Sequence, residues 1–149
     1  MRILGIDLGT KTMGLAITDN TQTIVSGISN FEFKKNDFKQ CYNKIQQIIN
    51  LYKNEIEKIV IGHPLTITGQ KNSWTLQVEK FCNELSLLHT NISVVLNDER
   101  FSTVKTIDFL KYELDLKMSK IKKIKDKMSA VTILNDYLEK VKHKNSKNT

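Results

Sequence analysis

Apolar and polar positions alternate along this chain in blocks whose periods name the elements. Arg2 to Asp7 is apolar almost throughout and ends on a carboxylate, which suits a short strand covered on both faces. Leu8-Gly9-Thr10-Lys11 supplies turn chemistry, and Met13 to Thr18 reads as a second strand completing a hairpin. Gln22 to Phe33 holds a third strand, with Ile24, Val25, Ile28, Phe31 and Phe33 as its apolar content. From Asp37 to Lys53 the period changes. Phe38, Cys41, Tyr42, Ile45, Ile48, Ile49 and Tyr52 recur at helical spacing, the pattern of an amphipathic helix packed on a sheet. Lys58 to Gly62 is a short buried strand, followed by His63-Pro64 and a polar loop through Asn72.

A second helix then carries Trp74, Val78, Phe81, Cys82, Leu85 and Leu88 on one face, and Asn91 to Leu96 is the last strand. Ser102 or Thr103 can cap a third helix bearing Val104, Ile107, Leu110 and Leu114. A lysine-rich segment leads into the last helix, whose stripe is Ala130, Ile133, Leu134, Tyr137, Leu138 and Val141. The order predicts an α/β fold: a five-stranded mixed sheet flanked by helices on both faces. One domain over residues 1–141 is expected, followed by a frayed, disordered basic tail over 142–149.

Composition narrows the class. No apolar run approaches the roughly 20 residues of a membrane span, and the chain opens on a strand without a signal-peptide layout. Cys41 and Cys82 lie among apolar neighbours and read as buried thiols, so a cytoplasmic location is expected. His63, His89 and His143 share no zinc-ligand spacing. The net charge of +7 favours an anionic partner, nucleic acid before an acidic membrane surface.

The candidate chemistry is carboxylate. In mixed sheets, sites gather at the carboxyl ends of the parallel strands. Asp7 ends the first strand, Gly62-His63-Pro64 the fourth, and Asp98-Glu99 the fifth. A lone Asp7 could simply cap its turn through the Gly9 and Thr10 amides. Four residues before Ala130, on the same helical face, stands Asp126. Alone, it too has a plain reading, pairing with Lys122 or Lys123. Three acids on one edge repel unless a divalent cation lies among them, and carboxylates without thiolate or imidazole suit Mg²⁺ or Mn²⁺. In a basic protein this set fits metal-assisted phosphodiester hydrolysis. Asp98 and Glu99 are adjacent and point opposite ways in an extended backbone. Glu99 is the preferred ligand and Asp98 the alternative.

These residues resemble a family. Gly5-Ile6-Asp7-Leu8-Gly9, Gly14-Leu15-Ala16 and Thr18-Asp19 look like the first motif of the YqgF/RuvX proteins, and Gly62-His63-Pro64 with Gly69 resembles the second. Asp98-Glu99-Arg100-Phe101-Ser102-Thr103 matches the third, and Asp126 with Ala130, Ile133-Leu134 and Tyr137-Leu138 resembles the closing helix. The motifs come in family order over nearly the whole chain. The resemblance implies a ribonuclease H-like fold and a magnesium-dependent nuclease that helps mature the 5′ end of the pre-16S ribosomal RNA. Its alternatives are resolution of Holliday junctions in branched DNA, or a non-catalytic RNA-binding factor in ribosome assembly. Asp7, Glu99 and Asp126 become the expected catalytic and metal-binding residues.

Lys11, His63, Arg100, Lys120, Lys122 and Lys123 are the expected nucleic-acid contacts, with an RNA precursor favoured over branched DNA, and a monomer or homodimer either way. His63 or Thr66 is expected within reach of a substrate phosphate or the attacking water. The chain departs from the family pattern at Thr12-Met13, where Arg-Ile is common, and Lys11 is the expected stand-in. Lys127-Met128-Ser129 replaces the small or apolar residues usual after the closing aspartate. The first motif also approaches the phosphate loop of actin-like ATPases, but these need a second such domain, and no second glycine-rich phosphate loop is visible here.

Overall fold

A computed structural model describes residues 1–66, 68–98 and 118–147; within the last helix, side chains are described for 130–144. Strands β1 (Arg2–Leu8), β2 (Thr12–Thr18) and β3 (Val25–Glu32) form an antiparallel meander, and β4 (Ile56–His63) and β5 (Ser93–Asp98) add in parallel beside β1. The sheet order is β3-β2-β1-β4-β5. Helices α1 (Phe38–Leu51) and α2 (Ser73–Leu88) follow β3 and β4, and α3 (Met118–Lys147) closes the described chain.

Alternation along the strands divides the core in two. Leu4, Ile6 and Leu8 of β1, with Ile59 and Ile61 of β4, pack with Cys41, Ile45, Ile48 and Ile49 of α1 and Val78, Phe81 and Leu85 of α2. Ile3, Ala16 and Val60 point the other way, onto Ala130, Ile133 and Leu134 of α3. Strands β1, β2 and β4 are thus apolar on both sides, as their apolar runs predict.

The hairpin turn closes with the Gly9 N–H donating to the Thr12 carbonyl at 2.7 Å. A β-carbon on Gly9 would stand 3.0 Å from that carbonyl oxygen, so the turn favours glycine. Helix α2 begins with a capping box: the Asn72 side chain accepts from the Thr75 N–H, and the Thr75 hydroxyl accepts from the Asn72 N–H. That buried hydroxyl also donates to the Pro64 carbonyl at 2.7 Å, fastening the β4–α2 loop to the helix it leads into. Gly69 turns the same loop with φ of 85°, a left-handed conformation that glycine adopts without penalty.

Three expectations are corrected. Leu88 does not join the core: it is 60% exposed, because the buried stripe of α2 runs through Val78, Cys82, Leu85 and His89 and Leu88 falls to its side. Strand β5 reaches Asp98, two residues beyond its expected end. Residues 142–147, expected in a frayed, disordered tail, continue α3 to Lys147, and most of the lysine-rich segment belongs to the same helix. The helix expected over 102–114 lies outside the described residues. Among the described residues no helix is long and apolar enough to cross a membrane.

Candidate active site

Asp7 faces α3. It follows Ile3 and Gly5 in the alternation of β1, and its pairing partner on β2 is Gly14. On the other side, Ile6 pairs with Ile61, so the next β4 residue beside Asp7 is Gly62. Both neighbouring strands therefore put a residue without a side chain next to the carboxylate. Among the described residues the positive-φ glycine is Gly69, so neither Gly14 nor Gly62 is there for a left-handed backbone.

The same level of the sheet continues through Gly62, paired with Asn97, and His63, paired with Asp98. The carboxyl ends of β1, β4 and β5 thus lie along one edge, as the motif spacing predicted. Their side chains do not all face one way. Val94 and Leu96 pack with the α1/α2 core and Val95 with the α3 core, so Asn97 faces α3 and Asp98 faces α2. Asn97 is 4% exposed, and its amide donates to Asp136 Oδ2 on α3 at 3.0 Å. Lys140 Nζ donates to Asn97 Oδ1 at 3.1 Å and to the Asp98 carbonyl at 2.9 Å, and pairs with Asp136 at 3.0 Å. This network joins the end of β5 to the last helix. Sequence reasoning missed it, although the i, i+4 spacing of Asp136 and Lys140 was a usable signal.

His63 is turned from the expected target. Its parity is that of Ile59 and Ile61, and its Nε2 meets Glu79 Oε2 on α2 at 2.8 Å. Lys71 joins the same carboxylate at 2.8 Å. Hydrogen bonds from Lys71 and then His63 hold the Glu79 carboxyl below its ordinary range. The Thr66 hydroxyl is engaged within its own loop, accepting from the Gln70 N–H at 2.9 Å and meeting Thr68 Oγ1 at 3.2 Å. His63 therefore lies on the face opposite Asp7. Lys11 is exposed in the β1–β2 turn, four residues from Asp7.

Asp126 lies on α3 one turn before Ala130, and Lys120, Lys122 and Lys123 precede it on the same helix. Their side chains, with Glu99 and Arg100, lie outside the described residues. Among the described residues no three histidine, cysteine or acidic side chains gather as a metal-binding group.

The sequence model of the RuvX family, described as Holliday junction resolvase, matches residues 1–140. A protein of Ureaplasma parvum serovar 3 named "Putative pre-16S rRNA nuclease" is 46% identical over 144 residues, covering 94% of this chain and 97% of the relative. Proteins of the same name from Mycoplasmopsis pulmonis and Thermoanaerobacter pseudethanolicus are 40% and 36% identical, covering 93% and 97% of this chain and 92% and 100% of their own lengths. Among solved structures, the fowlpox virus Holliday junction resolvase aligns with a TM-score of 0.55 at 18% identity, over 94% of this chain and 99% of that one. Thermus thermophilus RuvC, solved with a Holliday junction substrate, aligns with a TM-score of 0.55 at 10% identity, over 90% of each chain. At these identities the structural likeness establishes the fold, which is that of the ribonuclease H-like resolvases. With a family match over residues 1–140 and relatives up to 46% identical across nearly their whole length, the chain belongs to the RuvX family.

Proposed function

We propose that this protein is a metal-dependent nuclease that hydrolyses phosphodiester bonds of the pre-16S ribosomal RNA near its 5′ end. The observation that carries the reading is Asp7 between Gly14 and Gly62: a carboxylate at the carboxyl edge of a mixed sheet, with no side chain beside it on either neighbouring strand. Glycine at both positions permits close approach of a cation and a substrate backbone to that carboxylate. The relatives' name supplies the substrate.

Asp7, Glu99 and Asp126 would hold Mg²⁺ or Mn²⁺, since the donor set is carboxylate and hard oxygen ligands suit these ions. Asp98 shares the face of His63, away from the face of Asp7, which supports keeping Glu99 as the ligand. When bound, the metal activates water and stabilises the leaving oxygen. The chain's own residues do the rest: the three acids fix the cation, while Lys11, Arg100, Lys120, Lys122 and Lys123 hold the substrate backbone. The domain would act in the cytoplasm, and trimming of an RNA end asks only for a monomer. His63, expected among the substrate contacts, hydrogen-bonds Glu79 on α2 and so fastens the β4–α2 loop.

The deciding experiment offers a 5′-extended pre-16S RNA and a four-way DNA junction side by side with Mg²⁺ or Mn²⁺. Cleavage of the RNA, lost in Asp7→Asn, is the expected outcome. Symmetric cutting of the junction alone would select the resolvase alternative, and RNA binding without cleavage in either metal the assembly factor.

A further inference from the structure

On the α1/α2 side of the same edge lies a cavity of about 590 Å³, lined by Thr10, Asn36, Phe38, Ser73, Trp74 and Gln77. It is formed where the β1–β2 turn meets the first turns of α1 and α2, and its volume is within the range of small-molecule sites. One wall is aromatic. Phe38 and Trp74 have ring centroids 6.2 Å apart, and Phe38 is backed by Phe33 at 6.0 Å and by Phe81 at 6.1 Å. The other lining groups are two hydroxyls and two carboxamides, which together offer both donors and acceptors. Among the described residues the lining includes neither a carboxylate nor a cation.

This chemistry selects its ligand. Against the described lining residues a charged group would find no counter-charge, and a purely apolar one would leave Asn36 and Gln77 facing hydrocarbon. A flat, neutral heterocycle with hydrogen-bonding edges satisfies both walls: its face against Trp74, its edge toward the carboxamides. Three lysines and one acid, Asp37, flank the lining residues along the chain. Exposed Lys11 adjoins Thr10 and exposed Lys34 and Lys35 precede Asn36, whose N–H donates to the Thr10 carbonyl at 2.8 Å. A neutral base inside and a phosphate backbone outside is the layout of an unpaired nucleotide. The cavity is also near the candidate active site: Thr10 is three residues from Asp7, so their α-carbons are at most about 11 Å apart.

We propose that this cavity binds one unpaired nucleobase of the substrate, stacked on Trp74, so that the strand presented to Asp7 is single-stranded beside the cut. The proposal rests on the nuclease reading for its substrate and deepens it. A base within a duplex is stacked on both faces and paired along its edge, so it cannot enter without being extruded. The site thus prefers single-stranded RNA to a fully paired helix.

Trp74 is the only tryptophan, so its emission reports the cavity directly. With metal removed by EDTA, a single-stranded RNA hexamer should quench that emission saturably, and a blunt duplex of the same sequence should not. By anisotropy of the labelled hexamer, Trp74→Leu should raise Kd about 5- to 150-fold, the span of one base–aromatic stack, and Trp74→Phe by less. Asn36→Ala with Gln77→Ala, which leaves the aromatic core intact, should also weaken the hexamer. Equal quenching by the duplex overturns the proposal. So does binding of neither RNA, or hexamer binding that neither quenches Trp74 nor responds to the Asn36 and Gln77 changes. These readouts need no cleavage. A protein that stacks the base but never cuts RNA would sink the nuclease reading alone, and one that cuts with unchanged affinity in Trp74→Phe, Trp74→Leu and the carboxamide variant would sink the pocket alone.

Discussion

Gly5 lies so close under Leu134 that a β-carbon on it would stand 2.4 Å from Leu134 Cγ and 2.9 Å from Cδ1. This contact sets how near α3 approaches the sheet, two residues along β1 from Asp7. Gly5→Ala forces the helix or the Leu134 rotamer to move, and overpacking of this kind costs about 1–3 kcal/mol. The expected result is a midpoint lower by several degrees. Leu134→Ala, costly alone, should be partly compensated by Gly5→Ala in the double variant. Strict additivity of the two changes in thermal unfolding would show that this approach is not a packing constraint.

The metal reading makes a prediction at Asp7 that a structural role does not. Asp7→Asn removes one charge from a proposed acidic cluster and keeps nearly the same shape. Without metal its midpoint should be unchanged or raised, because repulsion is relieved. With Mg²⁺, wild type should gain stability by mass action and the variant much less. Cleavage should fall by orders of magnitude. A turn-capping Asp7 would instead lose roughly 1 kcal/mol on Asp7→Ala, with no dependence on metal. Wild-type cleavage by Asp7→Asn would refute the catalytic assignment.

Much of this arrangement was legible in the chain, and the failures have physical causes. The helical stripes of α1 and α2 and the acid-tipped strands were plain, because period and turn residues are local signals. The direction of His63 was not. Strand β4 is apolar on both faces, so its sequence carries no alternation from which to read parity; the packing of Ile59 and Ile61 and the bond to Glu79 reveal it. Leu88 had helical spacing from Leu85 but lies at the side of the stripe that continues through His89. The Trp74 cavity draws its lining from three separate segments, so no single spacing marks it.

The turn between β2 and β3 should carry an acid-sensitive contribution to stability. The Thr21 hydroxyl, then the Ile24 and Thr23 N–H groups, donate to the Asp19 carboxylate and hold its pKa down at about 2 from 3.8. A depressed carboxyl stabilises the fold above its unfolded value and loses that contribution as pH falls through the folded one. Wild type should therefore lose stability between about pH 4 and pH 2, and Asp19→Asn should lose less over that window. Parallel acid curves for the two proteins would exclude Asp19 as the titrating group.

The lysines ahead of Asp126 give a salt-dependent test. If Lys120, Lys122 and Lys123 each meet a backbone phosphate, neutralising all three should weaken binding on any sequence and flatten the salt slope by up to about 3. Lysines that only solubilise the helix predict the wild-type slope. The titration is best read on the metal-free protein, where cleavage cannot distort it.

The network at Asn97 predicts a separation of stability from chemistry. The pair between Asp136 and Lys140 is about a third and half exposed, and such a pair alone contributes little. Asn97 differs, because it is buried and both ends of its amide are engaged, one by Asp136 and the other by Lys140. Asn97→Ala should cost about 1–3 kcal/mol, since it removes a satisfied buried group and leaves its partners to water. Lys140→Met should cost less than about 1 kcal/mol. Because Asn97 binds the end of β5 to α3, the elements that lead to Glu99 and carry Asp126, its loss should disturb their relative position. The expected signature is a fall in kcat with KM nearly unchanged, and a coupling of about 0.5–3 kcal/mol between Asn97→Ala and Asp136→Ala in a double-mutant cycle. A variant that is destabilised but cuts at the wild-type rate below its unfolding range would make Asn97 a structural bolt with no part in positioning the acids.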